Sequence, residues 1–120
     1  MRNSIAVAAG TASPVDLVHL ARQTFGDPEL EREVLRLFVT QSRIYLDRMK
    51  AAGDQRQWFE AAHTIKGSAR GIGAWGVAEA AEAAEQVHFR KGSRHTGEMA
   101  ETLENRVAEA NSWIDGLFAA

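Results

Sequence analysis

The chain predicts an all-α domain, an antiparallel up-down four-helix bundle with a short extra helix at its N-terminal end. Three observations carry this expectation. Only two prolines occur, Pro14 and Pro28, while alanine, leucine, glutamate and arginine are plentiful, a composition that favours helix. Apolar residues recur at three- and four-residue spacing in segment after segment. No segment shows the β-branched alternation that marks a strand, and there is no internal repeat.

The elements follow in order. Residues 1–13 read as a disordered tail, and the domain is expected over residues 14–120. The apolar run Ile5 to Ala9 is shorter than the ~7–15 residue core of a secretory signal. Ser13-Pro14 opens the first helix, with serine as cap, proline at the first position and Asp16 against the positive end. This helix is expected to reach Phe25 and stop at Gly26. Asp27-Pro28 repeats the start signal for a second helix running to Lys50, with Leu30, Val34, Leu37, Phe38, Ile44, Tyr45 and Met49 as its apolar stripe. Gly53-Asp54 breaks the chain, and Asp54 caps a third helix that ends near Gly71 to Gly73. A fourth, alanine-rich helix runs from Ala74 to Phe89 with Val77, Ala81, Ala84 and Val87 on one side. After the basic loop Arg90–His95, Thr96 caps a last helix whose stripe is Met99, Leu103, Val107, Ala110, Ile114 and Leu117. Long amphipathic helices joined by short turns pack as antiparallel neighbours around one core.

Composition narrows the function. The chain of 120 residues fits one domain that can bury its own core without staples. With no cysteine there is no disulfide framework, thiolate metal site or cysteine nucleophile. A net charge of -2 and the lack of a basic recognition helix argue against nucleic acid as a partner. No apolar stretch approaches the ~20 residues that span a bilayer, so a cytoplasmic protein without a membrane partner is expected. His19, His88 and His95 lack metal-ligand spacing, and neither a phosphate-binding loop nor a dinucleotide fingerprint occurs, so no metal and no cofactor are expected.

The third helix holds the reactive candidate. At about 100° per residue, Trp58, Ala62, Ile65, Ala69 and Ile72 cluster opposite His63 and form the core face. Lys66, Gly67, Arg70 and Phe59 fall within about 60° of His63 on the outward face. A glycine inside a helix costs roughly 1 kcal/mol relative to alanine, and Gly67 stands where a larger side chain would overhang the imidazole. Lys66 and Arg70 are placed to stabilise an anion beside the ring. A histidine with an ordinary pKa of about 6.5 is largely neutral at cellular pH and has a free nitrogen lone pair. Attack on a phosphoryl group asks of it only in-line access and charge neutralisation nearby.

His63-Thr64-Ile65-Lys66-Gly67-Ser68-Ala69, followed by Gly73-Ala74, resembles the signature of histidine-containing phosphotransfer (HPt) domains, H-x-x-K-G-[SA]-[SA] with a glycine ten residues after the histidine. Asp27-Pro28-Glu29-Leu30 and Leu37-Phe38 resemble the family's second helix, and the likeness runs from Pro14 to the C-terminus. The resemblance implies that His63 is phosphorylated on its outer ring nitrogen. By the same resemblance Lys66 helps neutralise the phosphate, and Gly67 admits the partner. Partners would be receiver domains, one in a hybrid histidine kinase and one in a response regulator, whose aspartates donate and accept the phosphoryl group and which supply the magnesium. The chain would then be a phosphoryl carrier without kinase activity of its own. Three departures stand out: Ala84-Glu85 stands where the family usually has a large aliphatic residue before its glutamate, Gly71 adds flexibility near the end of the third helix, and Arg70 places a charge where many relatives have a small residue.

Other readings of these residues remain beside this one. Ser68 either lies near the phosphate or only bonds its own backbone. Phe59 is either a docking anchor, with Gly67 and Arg70, or an ordinary exposed aromatic. The chief rival function is a helical adaptor that docks and regulates a receiver domain without transferring phosphate. With Met1 at its head, the chain is expected to be a free-standing monomeric shuttle rather than a piece of a kinase.

Overall fold

The computed structural model describes residues 13–119. Five helices follow one another: α1 (Leu17–Gln23), α2 (Pro28–Lys50), α3 (Gln55–Ile72), α4 (Trp75–Glu85) and α5 (Arg94–Ala119). Among the described residues there is no strand, so the all-helical expectation holds. Of the expected tail only Ser13 falls within the described residues. No helix among them is long and apolar enough to cross a membrane.

Side-chain caps set most of the helix starts. The Asp27 carboxylate accepts the backbone N–H groups of Glu29 and Leu30 at 2.9 and 3.3 Å ahead of α2, with Pro28 in its first turn. Asp54 accepts from Gln57 N–H at 2.8 Å ahead of α3. Two expected caps are corrected. Asp16, not Ser13, caps α1 by accepting from His19 N–H at 3.0 Å, while the Ser13 hydroxyl closes a local turn on Val15. Ser93, not Thr96, caps α5 by accepting from Thr96 N–H at 3.2 Å. Thr96 itself is buried, and its hydroxyl accepts from Arg90 N–H at 3.2 Å. In both cases an earlier or later polar residue fits the geometry that the N2 and N3 amides require.

Helix ends differ from expectation where the chain finds a better stop. α1 ends at Gln23, and Thr24 to Gly26 form a turn in which Phe25 takes φ 54° and Gly26 φ 72°. α4 ends at Glu85 rather than Phe89. The chain then turns so that Val87 is buried and Phe89 packs on Trp58, ring centroids 5.5 Å apart. The α3 end is as expected: Gly73, at φ 78°, and Ala74 donate back to Arg70 and Ala69 carbonyls at 3.3 and 2.8 Å, the paired pattern of a left-handed helix stop.

α3 is the central element, packed against α1, α2 and α4, while α5 covers α4 and α2. Leu35, Phe38, Leu46 and Met49 from α2 meet Trp58, Ile65 and Ala69 from α3 in one core with Val77, Ala81, Leu103, Val107 and Ile114. Burying each of the larger ones contributes about 1.5–3 kcal/mol. The Trp58 indole N–H is satisfied by the Ala84 carbonyl at 2.8 Å. Leu37, Ile44 and Leu117, expected in apolar stripes, are instead exposed. The stripe of α2 is centred on Leu35, Phe38, Val39, Ser42, Leu46 and Met49, so Leu37 and Ile44 lie beyond its edges.

Candidate functional site

His63 stands on the outward face of α3, its side chain 61% exposed, with Ala62, Ile65 and Ala69 buried behind it. Nδ1 lies 2.8 Å from Glu85 Oε2. The other oxygen of the same carboxylate, Oε1, accepts from Lys66 Nζ at 2.8 Å. Glu85 comes from the last turn of α4 and its side chain is only 4% exposed, that of Lys66 13%. One buried carboxylate therefore joins the two residues of α3 that the motif singles out.

The charge state of Glu85 decides what the ring does. Burial pushes its carboxyl up, but the hydrogen bonds from Lys66 and His63, with their charges, outweigh burial and hold it below the ordinary glutamate range. An ionised carboxylate only accepts, so Nδ1 of His63 must carry the hydrogen. In the neutral ring Nε2 is then the nitrogen with the free lone pair. It lies on the ring edge away from the bond to α4.

The remaining candidates divide. Phe59 stacks on the His63 ring at a centroid distance of 5.5 Å and 16° between planes, and is itself 42% exposed. A Cβ added at Gly67 would meet nothing within 4 Å, so neither packing nor backbone conformation requires glycine there. Arg70 is turned to α4, where its guanidinium donates to Glu82 Oε1 at 3.0 Å. Ser68 lines a groove with Leu37, Gln41 and Gly71, a different groove from the one His63 lines with Tyr45, Arg48 and Phe59. Among the described residues no cluster of acidic and histidine side chains could hold a metal ion.

Glu85 had no assigned part in the sequence reading. A signal was there: it falls in the register of Val77, Ala78, Ala81 and Ala84, the buried face of α4, and a carboxylate on such a face needs a partner. Asp16 was read only as a dipole partner, yet it pins α1 to the far end of α3. Its N–H donates to Gly73 O at 2.9 Å, and its carboxylate accepts the Trp75 indole N–H at 3.0 Å. A Cβ at Gly73 would lie 2.9 Å from Asp16 Cβ and 3.0 Å from its carbonyl oxygen, so the glycine ten residues after His63 is required by close approach as well as by its positive φ.

A family model described as Hpt domain matches residues 33–113. That span is more than half of the chain, though shorter at both ends than the likeness read from the sequence, and it contains His63, the motif after it and Glu85. No curated protein and no solved structure matches the chain. With an outward histidine on the third helix and this match spanning it, the chain belongs to the Hpt domain family, whose members work in two-component phosphorelays.

Proposed function

We propose that the protein is a phosphoryl carrier that takes its phosphoryl group on Nε2 of His63 from a receiver-domain aspartate, as in a hybrid histidine kinase, and passes it to a response regulator. The observation that carries this reading is the bond from His63 Nδ1 to an ionised, buried Glu85, which leaves the opposite nitrogen bare on an exposed ring. The Nε2 lone pair attacks phosphorus as the bond from phosphorus to the aspartyl oxygen breaks, and that electron pair stays on the departing carboxylate. The ring gains positive charge in this step, and Glu85, at Nδ1–H, stabilises it where it develops. Return of the group to a second aspartate reverses each movement.

Lys66 supports the step through Glu85. It offsets the carboxylate, so the residue that steers the ring does not repel an arriving phosphoryl group. Gly67 leaves room for the partner over the ring, and Phe59 offers it an exposed apolar face. Arg70, paired with an equally exposed Glu82, is available to the partner by exchange. Ser68 lines a separate groove and takes no part in this reading. The magnesium and the acidic pocket come from the receiver, so the carrier needs no metal, cofactor or kinase activity of its own. We take the domain to span residues 14–120 as an antiparallel up-down bundle of α2 to α5 with α1 leading, acting as a cytoplasmic monomer.

The test is transfer from a radiolabelled, phosphorylated receiver domain to wild type and to His63→Gln. Acid-labile, alkali-stable label on wild type alone is the expected result. Label on His63→Gln would overturn the assignment. Binding without label from any of several receivers would instead make the protein a silent adaptor.

A further inference from the structure

The groove that His63 shares with α2 holds a cation that the transfer step above does not use. Tyr45 and Arg48 of α2 face Phe59, His63 and Thr64 of α3 across a space of about 540 Å³. The Arg48 guanidinium lies over the Tyr45 ring, 4.7 Å from its centroid. Tyr45 is one turn earlier in α2, so the Arg48 side chain folds back along the helix and its charge is carried along the groove, not out from the helix end.

The other cations around His63 are all paired with carboxylates. Lys66 is bonded to Glu85, Arg70 to Glu82, and Arg56 to Glu60, which also lines the groove. Among the described residues Arg48 makes no ion pair. Lys66, the family's expected phosphate partner, is the least available of the four. Its side chain is largely buried, and moving it to a phosphoryl group would leave the Glu85 carboxylate in the protein interior without its cation, held by the His63 N–H alone. Arg48 is held by an aromatic face alone and can leave it without stranding a charge.

We propose that Arg48 is the side chain that binds the phosphoryl group carried on His63, an inference that rests on reading His63 as the acceptor. With Nδ1 turned to α4, Nε2 is directed away from α4, and a phosphoryl group there adds negative charge beside the groove that Arg48 lines. A guanidinium offers a planar fork that meets two phosphate oxygens at once, which an ammonium does not. Lys66 then serves the ring through Glu85, and Arg48 serves the phosphate.

The experiment charges the intact protein with phosphoramidate, a small donor that phosphorylates histidine without a partner protein. Phosphorus NMR of the phosphohistidine is compared for wild type, Arg48→Gln, Arg48→Lys and Lys66→Gln. The share of label each holds at equilibrium with one receiver domain is measured alongside. Arg48→Gln is expected to move the phosphorus resonance and to lower the carrier's share of label roughly three- to tenfold, the worth of one charge-assisted contact, with Arg48→Lys recovering part of it. Arg48 is exposed, so thermal unfolding should not change. A wild-type resonance and share in Arg48→Gln would overturn the proposal. So would a wild-type resonance with weakened receiver binding, because Arg48 would then meet the partner and not the phosphate. A resonance moved in Lys66→Gln but not in Arg48→Gln would return the role to Lys66. Wild type that takes no label at His63 would sink the carrier reading itself, and this inference with it.

Discussion

At the scale of single residues, the site rests on one carboxylate serving two bases. Glu85 orients the imidazole and neutralises Lys66, and each of the three depends on the others. Lys66→Ala removes the charged partner of the buried Glu85 and leaves it only the His63 N–H, which is expected to destabilise the fold by about 1–3 kcal/mol and to slow transfer or shorten the life of the phosphate. Replacing Glu85 by leucine in the same protein removes the stranded charge. Urea unfolding of the double variant should recover much of the lost stability while transfer stays impaired; strictly additive losses would show that the pair is not coupled. Gly67 makes the complementary case. Since a Cβ there meets nothing, Gly67→Ala should raise stability by up to about 1 kcal/mol through helix propensity alone. Gly67→Arg should fold as well as wild type but fail to exchange phosphate with a receiver. A Gly67→Arg protein that transfers normally would mean that the space over the ring is not used by the partner.

Among the elements, the junction of α1, α3 and α4 holds the end of the helix that bears His63. Gly73 stops α3 in the left-handed region and admits Asp16 to within contact of its backbone. The Asp16 carboxylate then ties α1 to Trp75 at the start of α4, and His19 Nε2 donates to the Arg70 carbonyl at 2.8 Å, a second and shorter bond on a helix-end group that the Gly73 N–H also reaches. Gly73→Ala strains the φ angle and drives a methyl group into Asp16, so a loss of about 2–3 kcal/mol in thermal or urea unfolding is expected. The same change at Gly71, where a Cβ has open space, should cost nothing of this kind. Equal effects at the two glycines would mean that the close approach of Asp16 is unimportant.

For the molecule as a whole, the two depressed carboxylates make stability depend on acid. The Trp75 indole N–H is the main cause at Asp16, followed by the His19 backbone N–H. At Glu85, burial opposes and the bonds from Lys66 and His63 prevail. A carboxylate with a lowered folded value binds fewer protons folded than unfolded, so stability rises with pH across the interval between the two values. This contribution is complete above the ordinary carboxylate range near pH 4 and disappears as pH falls through the lowered values. Urea unfolding followed from about pH 7 to about pH 3 should therefore show a steeper acid decline for wild type than for Glu85→Gln. Parallel curves would mean that the Glu85 bonds are not kept in solution.

The features legible in the sequence are those governed by local chemistry. Aspartate before proline, Asp54 after glycine, and glycine past the last apolar position specify where α2 and α3 begin and end, because caps and stops act within one turn. Helical periodicity likewise turned His63 outward and Trp58, Ile65 and Ala69 inward, since about 100° per residue is a property of any α-helix. Ser13 and Thr96 misled for the same local reason: several polar residues near a helix start compete to cap it, and the packing of Val15 and Thr96 into the interior chooses among them. Leu37 and Ile44 are apolar but lie beside, not on, the face that meets a neighbour, and only the neighbours define that face. Tertiary structure alone decided the chemistry of the site. Glu85 is twenty-two residues from His63 and nineteen from Lys66, and no periodicity links them. The packing of α4 on α3 brings the carboxylate between them, and burial makes the bonds obligatory. It also decided which cations are free, leaving Arg48 open and Lys66 committed, because a charge's availability depends on what is packed around it and not on the residues beside it in the chain.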